Sequence, residues 1–136
     1  MYTYGRGVPQ DNARAVAWLR KAAEQGNAEG EGRLGEMYVN GQGVPQDYAQ
    51  AIAWLRKGAA QGHSLSQDSL GFLYETGKGV PQDYVQAHMW YNLAASDAQD
   101  AVMSETASQM RDLVAAKMTP AQIAEAQKMA REWGLK

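Results

Sequence analysis

The sequence predicts an all-α fold built of stacked helical hairpins in 36-residue repeats. Three observations point there. The heptapeptide Gly5-Arg6-Gly7-Val8-Pro9-Gln10-Asp11 returns as Gly41-Gln42-Gly43-Val44-Pro45-Gln46-Asp47 and again as Gly77-Lys78-Gly79-Val80-Pro81-Gln82-Asp83, each time 36 residues on. Other positions keep the same step: Ala15, Ala51 and Ala87; Trp18, Trp54 and Trp90; Tyr2, Tyr38 and Tyr74; Leu34 and Leu70; Gly35 and Gly71. Between the heptapeptides the apolar residues recur at helical spacing, with no strand-like alternation. A period of that length without strands is a chain of helical hairpins.

Each element follows from local signals. The second helix of a hairpin starts after the heptapeptide, over 11–25, 47–61 and 83–96. Asp11, Asp47 and Asp83 are natural N-caps, and Gln50 and Gln86 stand at capping-box spacing from the last two. Ala15, Trp18, Leu19, Ala22 and Ala23 share one face of the first of these helices. Arg20-Lys21 and Arg56-Lys57 suit the negative end of the helix dipole. Gly26 and Gly62 provide left-handed residues just past the end. The first helix of the next hairpin runs over 28–40 and again over 64–76, with Leu34, Tyr38, Leu70 and Tyr74 on its core side. Gly35 and Gly71 lie on that side too. A mid-helix glycine costs about 1 kcal/mol, so close approach of two helix backbones is the expected compensation.

The stretch Leu34-Gly35-Glu36-Met37-Tyr38-Val39-Asn40-Gly41-Gln42-Gly43-Val44-Pro45-Gln46-Asp47-Tyr48, with Ala51-Ile52-Ala53-Trp54-Leu55-Arg56-Lys57 and Gln61-Gly62, resembles the Sel-one-like repeat, a relative of the tetratricopeptide repeat. The resemblance covers Met1 to about Ala95. Residues 118–127 are similar to the C-terminal capping segment of bacterial members. The resemblance implies a right-handed α-solenoid that acts as a scaffold for other proteins. A branch of the family has a disulfide in each repeat; this chain has no cysteine and lies outside it.

The expected organisation is a repeat array over residues 1–96, with a truncated first unit, and capping helices over 97–136. Gly30, Gly32 and Gly58 depart from the repeat pattern and weaken their helices, which makes the middle unit the softest. The glycine positions of the earlier units fall at Ala98 and Ala107, so the array ends there. A helix over 98–116 follows, with Met103, Ala107, Met110 and Leu113-Val114 as its packing face. Thr119, Pro120 and Gln122 start a last helix over 120–133. Its buried stripe is Ile123, Ala126, Met129, Ala130 and Trp133.

Composition narrows the function. The 136 residues include 13 basic and 15 acidic side chains, a net charge of −2. Such a chain has no electrostatic footprint for nucleic acid. No apolar run approaches the ~20 residues of a membrane helix. Met1-Tyr2-Thr3-Tyr4-Gly5 lacks the basic and apolar regions of a signal peptide. The expectation is a soluble protein of the cytoplasm or periplasm without membrane insertion.

Signals for catalysis or cofactors are weak. His63 follows a helix-ending glycine and is expected at the surface. His88 lies inside a helix, and neither histidine has a second ligand at metal spacing. The glycine-rich heptapeptides have no preceding strand and lack the Gly-Lys-Ser/Thr end of a phosphate loop. Glu29, Glu31 and Glu36 read as a solvated helix face. No catalytic residue, metal or cofactor is expected, and the chain reads as a non-enzyme.

The surface that invites binding is the outward stripe of the first helices, the concave side of such an array. In one unit it is Glu29, Arg33, Glu36 and Asn40; in the next, Leu65, Ser69, Phe72 and Thr76. Phe72 is the chain's one phenylalanine, and an apolar patch with a polar rim suits a protein or peptide partner. Two rival readings stand beside this one: a hydrolytic enzyme acting on cell-wall-related substrates, and a structural oligomer contacting only its own copies. Met1 and Tyr2 match the last turn of a first helix whose earlier turns are missing. The helix carrying Trp18 is thus expected to belong to a longer array, or to pair with a second copy as a homodimer through its N-terminal end.

Overall fold

In a computed structural model of the chain, the described residues are 8–96 and 99–134 of the backbone, with side chains over 11–96 and 99–133. They form seven helices and no strand: α1 (Val8–Glu24), α2 (Ala28–Asn40), α3 (Tyr48–Ala60), α4 (Ser64–Thr76), α5 (Tyr84–Ala95), α6 (Ala101–Ala115) and α7 (Pro120–Gly134). They fall into two compact units, Met1–Ser66 and Gln67–Lys136. Met1, Tyr2, the Gly5-Arg6-Gly7 segment and Ala98, all singled out above, lie outside the described residues.

The heptapeptide does the same work after α2 and after α4. Gly41 and Gly43 have φ of +67° and +75°, and Gly77 and Gly79 have +73° and +79°, values that only glycine adopts without strain. The first glycine ends the helix; the Gly41 N–H donates to the Met37 carbonyl. The glutamine then reaches back: Gln46 Nε2 donates to the Val39 carbonyl and Gln82 Nε2 to the Glu75 carbonyl, both at 2.8 Å. The aspartate caps the next helix, with Asp47 Oδ1 accepting from the Gln50 N–H and Asp83 Oδ1 from the Gln86 N–H, both at 3.1 Å. The capping box closes only on this half. The aspartate N–H that would complete it goes to the preceding helix, Asp47 to the Tyr38 carbonyl and Asp83 to the Tyr74 carbonyl. A full box forms at α7, where Thr119 and Gln122 exchange both bonds.

Two helix starts differ from expectation. Asp11 is not an N-cap, because α1 runs back to Val8 and places Asp11 in its first turn. Proline is tolerated there, since a first-turn residue needs no intrahelical N–H bond. Helix α6 begins at Ala101 rather than 98, because Asp100 takes the Met103 N–H and fixes the cap.

The core of the first unit is Val16, Ala23, Leu34, Tyr38, Ala51, Ile52, Leu55 and Ala59, all buried. Burial of a leucine such as Leu34 or Leu55 stabilises by about 1.5–3 kcal/mol. Gly35 makes this packing possible. A Cβ there would lie 2.7 Å from Leu55 Cγ and 3.1 Å from the Ala51 carbonyl oxygen. In the second unit a Cβ on Gly71 would lie 2.7 Å from the Tyr91 ring. The compensation for each mid-helix glycine is therefore a side chain of the partner helix seated in the gap, joined at Gly35 by backbone approach.

The tryptophans share a helical register but not an environment. Trp90 is buried and meets Trp133 of α7 edge to face, with ring centroids 4.9 Å apart. Trp54 is half-buried, with Lys57 Nζ 4.7 Å from its ring centroid. Trp18 is 74% exposed, so it does not belong to the packed face of α1. The packed face turns toward α2 instead, through Val16, Ala23 and Arg20, whose Nη2 donates to the Tyr38 hydroxyl at 2.8 Å. On α6, Leu113 is likewise 60% exposed, against the expectation for it. Ala107 and Val114, seven residues apart, define the buried line, and one residue back turns the side chain by about 100° out of it. On α7 the expected stripe is present: Ala126 and Ala130 are buried, and Ile123, Met129 and Trp133 are half-buried.

Candidate interaction surface and family

The glycines that seemed to weaken the middle unit are filled by neighbours. A Cβ on Gly30 would lie 2.8 Å from that of Ala22. One on Gly32 would fall 2.5 Å from Ser66 Oγ and 2.6 Å from the His63 ring; one on Gly58 would collide with Ser66 Oγ and press on the Ala28 carbonyl. Ser66 is fully buried between them. Its Oγ lies 2.7 Å from His63 Nδ1, so His63 is a half-buried, bonded residue rather than a surface one. The reason is local: His63 stands at the start of α4, three residues before Ser66, where its ring turns back over the first turn. A serine and histidine at this distance resemble a nucleophile and base. Buried as it is, Ser66 Oγ has no room for a substrate carbonyl, and the pair fills a packing gap.

Glu31 also departs from the solvated face expected for it. It is buried and accepts from Gln61 Nε2 at 2.7 Å, and that same nitrogen donates to the Gly26 carbonyl at 3.0 Å. No group of three potential metal-ligating side chains occurs among the described residues.

His88 occupies the register of Val16 and Ile52, a core position. It is buried, its Nδ1 has no hydrogen-bond partner, and the Trp90 Nε1 two residues on has none either. Desolvation first, and the Arg111 charge second, hold the imidazole below its ordinary value; Asp112 opposes them weakly. The unfolded chain therefore binds this proton more readily than the folded one. Stability from the neutral ring is complete above about pH 6.5 and falls as pH drops below that toward the folded-state value. His88→Leu should flatten this loss. Melting temperatures of the two proteins, measured between neutral and mildly acidic pH, should converge or cross on acidification; parallel curves would remove His88 as the cause.

The residues expected to bind a partner occupy the outward sides of their own helices. On α2, Glu29, Arg33 and Asn40 are exposed and Glu36 is half-buried. Arg33 Nε pairs with Glu29 Oε2 at 3.0 Å. An exposed pair of this kind is worth only about 0.3–0.5 kcal/mol, so both ends are easily redirected to a partner. On α4, Leu65 and Ser69 are half-buried, Thr76 is exposed, and Phe72 is 42% exposed. Thr76 Oγ1 donates to the Phe72 carbonyl at 2.8 Å. Lys78 Nζ lies 5.6 Å from the Phe72 ring centroid. Lys78 escaped the sequence reading, although it stands at the one position where the three heptapeptides differ: Arg6, Gln42 and Lys78.

The Sel1 repeat family matches three successive stretches, residues 1–27, 28–63 and 64–98. The chain belongs to the Sel1 repeat family. Its Sel1 repeats each end with a heptapeptide-led helix, so that 28–63 holds α2 and α3 and 64–98 holds α4 and α5. Among solved structures it is similar to c5321, a protective antigen of uropathogenic Escherichia coli displaying an SLR fold. The TM-score is 0.82 at 35% identity, over 89% of this chain and 25% of that one. It is also similar to a Sel1 repeat protein from Oxalobacter formigenes, with a TM-score of 0.59 at 43% identity, over 61% of this chain and 63% of that one. The chain thus spans a quarter of the first of these proteins and somewhat under two thirds of the second. No curated protein matches it. The fold class is the all-α solenoid class of the SLR proteins. Sel1 repeat proteins generally mediate protein–protein interactions and are typically non-catalytic scaffolds.

Proposed function

We propose that this chain is a non-enzymatic interaction scaffold that holds a partner protein or peptide on the outward stripes of α2 and α4. The observation that carries this reading is Phe72, a large apolar side chain left 42% exposed on a helix whose other large apolar residues, Leu70 and Leu73, are fully buried. Lys78 beside the ring adds a cation at its edge. An aromatic anchor with a polar rim is the usual centre of a protein contact. The array reads as residues 1–96 and the cap as residues 97–136. The cap reading is supported by α7, which lays Trp133 over Trp90.

Phe72→Ala and Arg33→Glu test the binding role. Each should weaken capture of a partner recovered with the wild-type chain by about tenfold or more. Circular dichroism and melting should stay near wild type, because Phe72 is half in water and Arg33 is exposed. Undiminished capture by both variants would refute the assignment. A large loss of melting temperature in Phe72→Ala would make Phe72 a core residue instead.

A further inference from the structure

Each second helix of a hairpin presents the same register to the first helix of its own hairpin. On α3 the register is Ala51, Trp54 and Leu55; Ala51 and Leu55 are fully buried, with Gly35 of α2 against Leu55 and the Ala51 carbonyl. On α5 it is Ala87, Trp90 and Tyr91, all buried, with Gly71 of α4 against the Tyr91 ring. The covering helix carries Leu-Gly-x-x-Tyr both times: Leu34-Gly35 with Tyr38, and Leu70-Gly71 with Tyr74.

On α1 the register is Ala15, Trp18 and Leu19, the same three residue types as on α3. Here Ala15 and Leu19 are only half-buried and Trp18 is 74% exposed. A hollow of ≈ 240 Å³ lies beside it, lined by Ala17, Trp18 and Lys21. The opposite side of α1, through Val16 and Ala23, is already committed to α2.

We propose that the Ala15–Trp18–Leu19 stripe of α1 is a docking surface for an acidic amphipathic helix carrying Leu-Gly-x-x-Tyr. The occupant is set by continuity with the α2–α3 contact, where such a helix already covers an identical register. The glycine leaves the gap that Leu19 enters, as Gly35 does for Leu55. Charge agrees with this choice. Arg14 and Lys21 are exposed beside Trp18, while α2, the model for the occupant, carries Glu29, Glu31 and Glu36. This surface is separate from the α2 and α4 stripes and does not depend on them.

The test uses the full chain and a labelled synthetic peptide of residues 28–40, followed by fluorescence anisotropy and by amide chemical shifts. Saturable binding is expected, with shifts concentrated on α1. A peptide carrying Gly35→Leu should bind at least about tenfold more weakly, a difference of about 1.4 kcal/mol. Leu19→Glu in the protein should weaken binding to a similar extent, and the peptide variant keeps the test valid should that protein lose stability. Absent binding, equal binding of the two peptides, or shifts away from α1 would overturn the proposal. So would a homodimer, measured by light scattering, that disappears with Trp18→Ala, since a second copy would then be the occupant.

Discussion

Tyr91→Ala should be among the most damaging single substitutions in the second unit, at about 3–5 kcal/mol. The side chain is fully buried and forms a cluster with Ala87 and Val114, with Tyr74, Tyr84, Met110 and Met118 packed around it. Its ring fills the space left by Gly71, and its hydroxyl donates to Glu75 Oε1 at 2.7 Å. Burial and the Glu75 carboxylate push the phenol far above its ordinary titration range, so the hydroxyl stays a donor. Truncation removes the ring and orphans the carboxylate. For a chain of this length, melting should fall by roughly 10 °C or more, at about 3–4 °C per kcal/mol. Gly71→Ala supplies the companion measurement. In the wild type its Cβ strikes the ring and should destabilise by about 1–3 kcal/mol. In the Tyr91→Ala background the same change should become neutral or stabilising by up to about 1 kcal/mol, because alanine favours helix. Additive effects would show that the ring and the glycine do not constrain each other.

In the first unit, Gly58→Ala should reverse the usual benefit of replacing a helical glycine. Propensity alone predicts a gain of about 1 kcal/mol. The new Cβ instead meets buried Ser66, and the Ala28 carbonyl oxygen at 3.2 Å. Neither can retreat, since one lies on α2 and the other in the closed first turn of α4. Overpacking of this kind typically costs about 1–3 kcal/mol. Ser66→Gly should recover most of that loss in the double variant, beyond the sum of the single effects, as measured by denaturant unfolding. A Gly58→Ala protein more stable than wild type would mean that the gap is slack.

These two sites mark where sequence reasoning succeeds and where it stops. The heptapeptide was legible because all its work is local. Its glycines, glutamine and aspartate act within ten residues of one another, and their chemistry is read directly from residue type. The seven helices and the capping box of Thr119 and Gln122 followed for the same reason. Gly32 and Gly58 were misread as weak points because their justification, Ser66, is distant in sequence and reached only through packing. His63 and Glu31 were placed in solvent on the same ground. Trp18 and Leu113 were misplaced by rotation: a helix face assigned from apolar residues alone is uncertain by one step of about 100°. Of the binding surface, Phe72 and Arg33 could be named from register, but Lys78 over the ring required the loop geometry.

The glutamine latch bears on how the molecule assembles in time. Gln46 reaches a carbonyl only seven residues back, and Gln82 does the same. Closing so short a loop takes little chain entropy and happens on a scale of tens of nanoseconds. Each turn can thus be sealed before any distant contact exists. Contacts of such short range favour rapid folding. They also let any hairpin serve as the seed onto which its neighbours are laid.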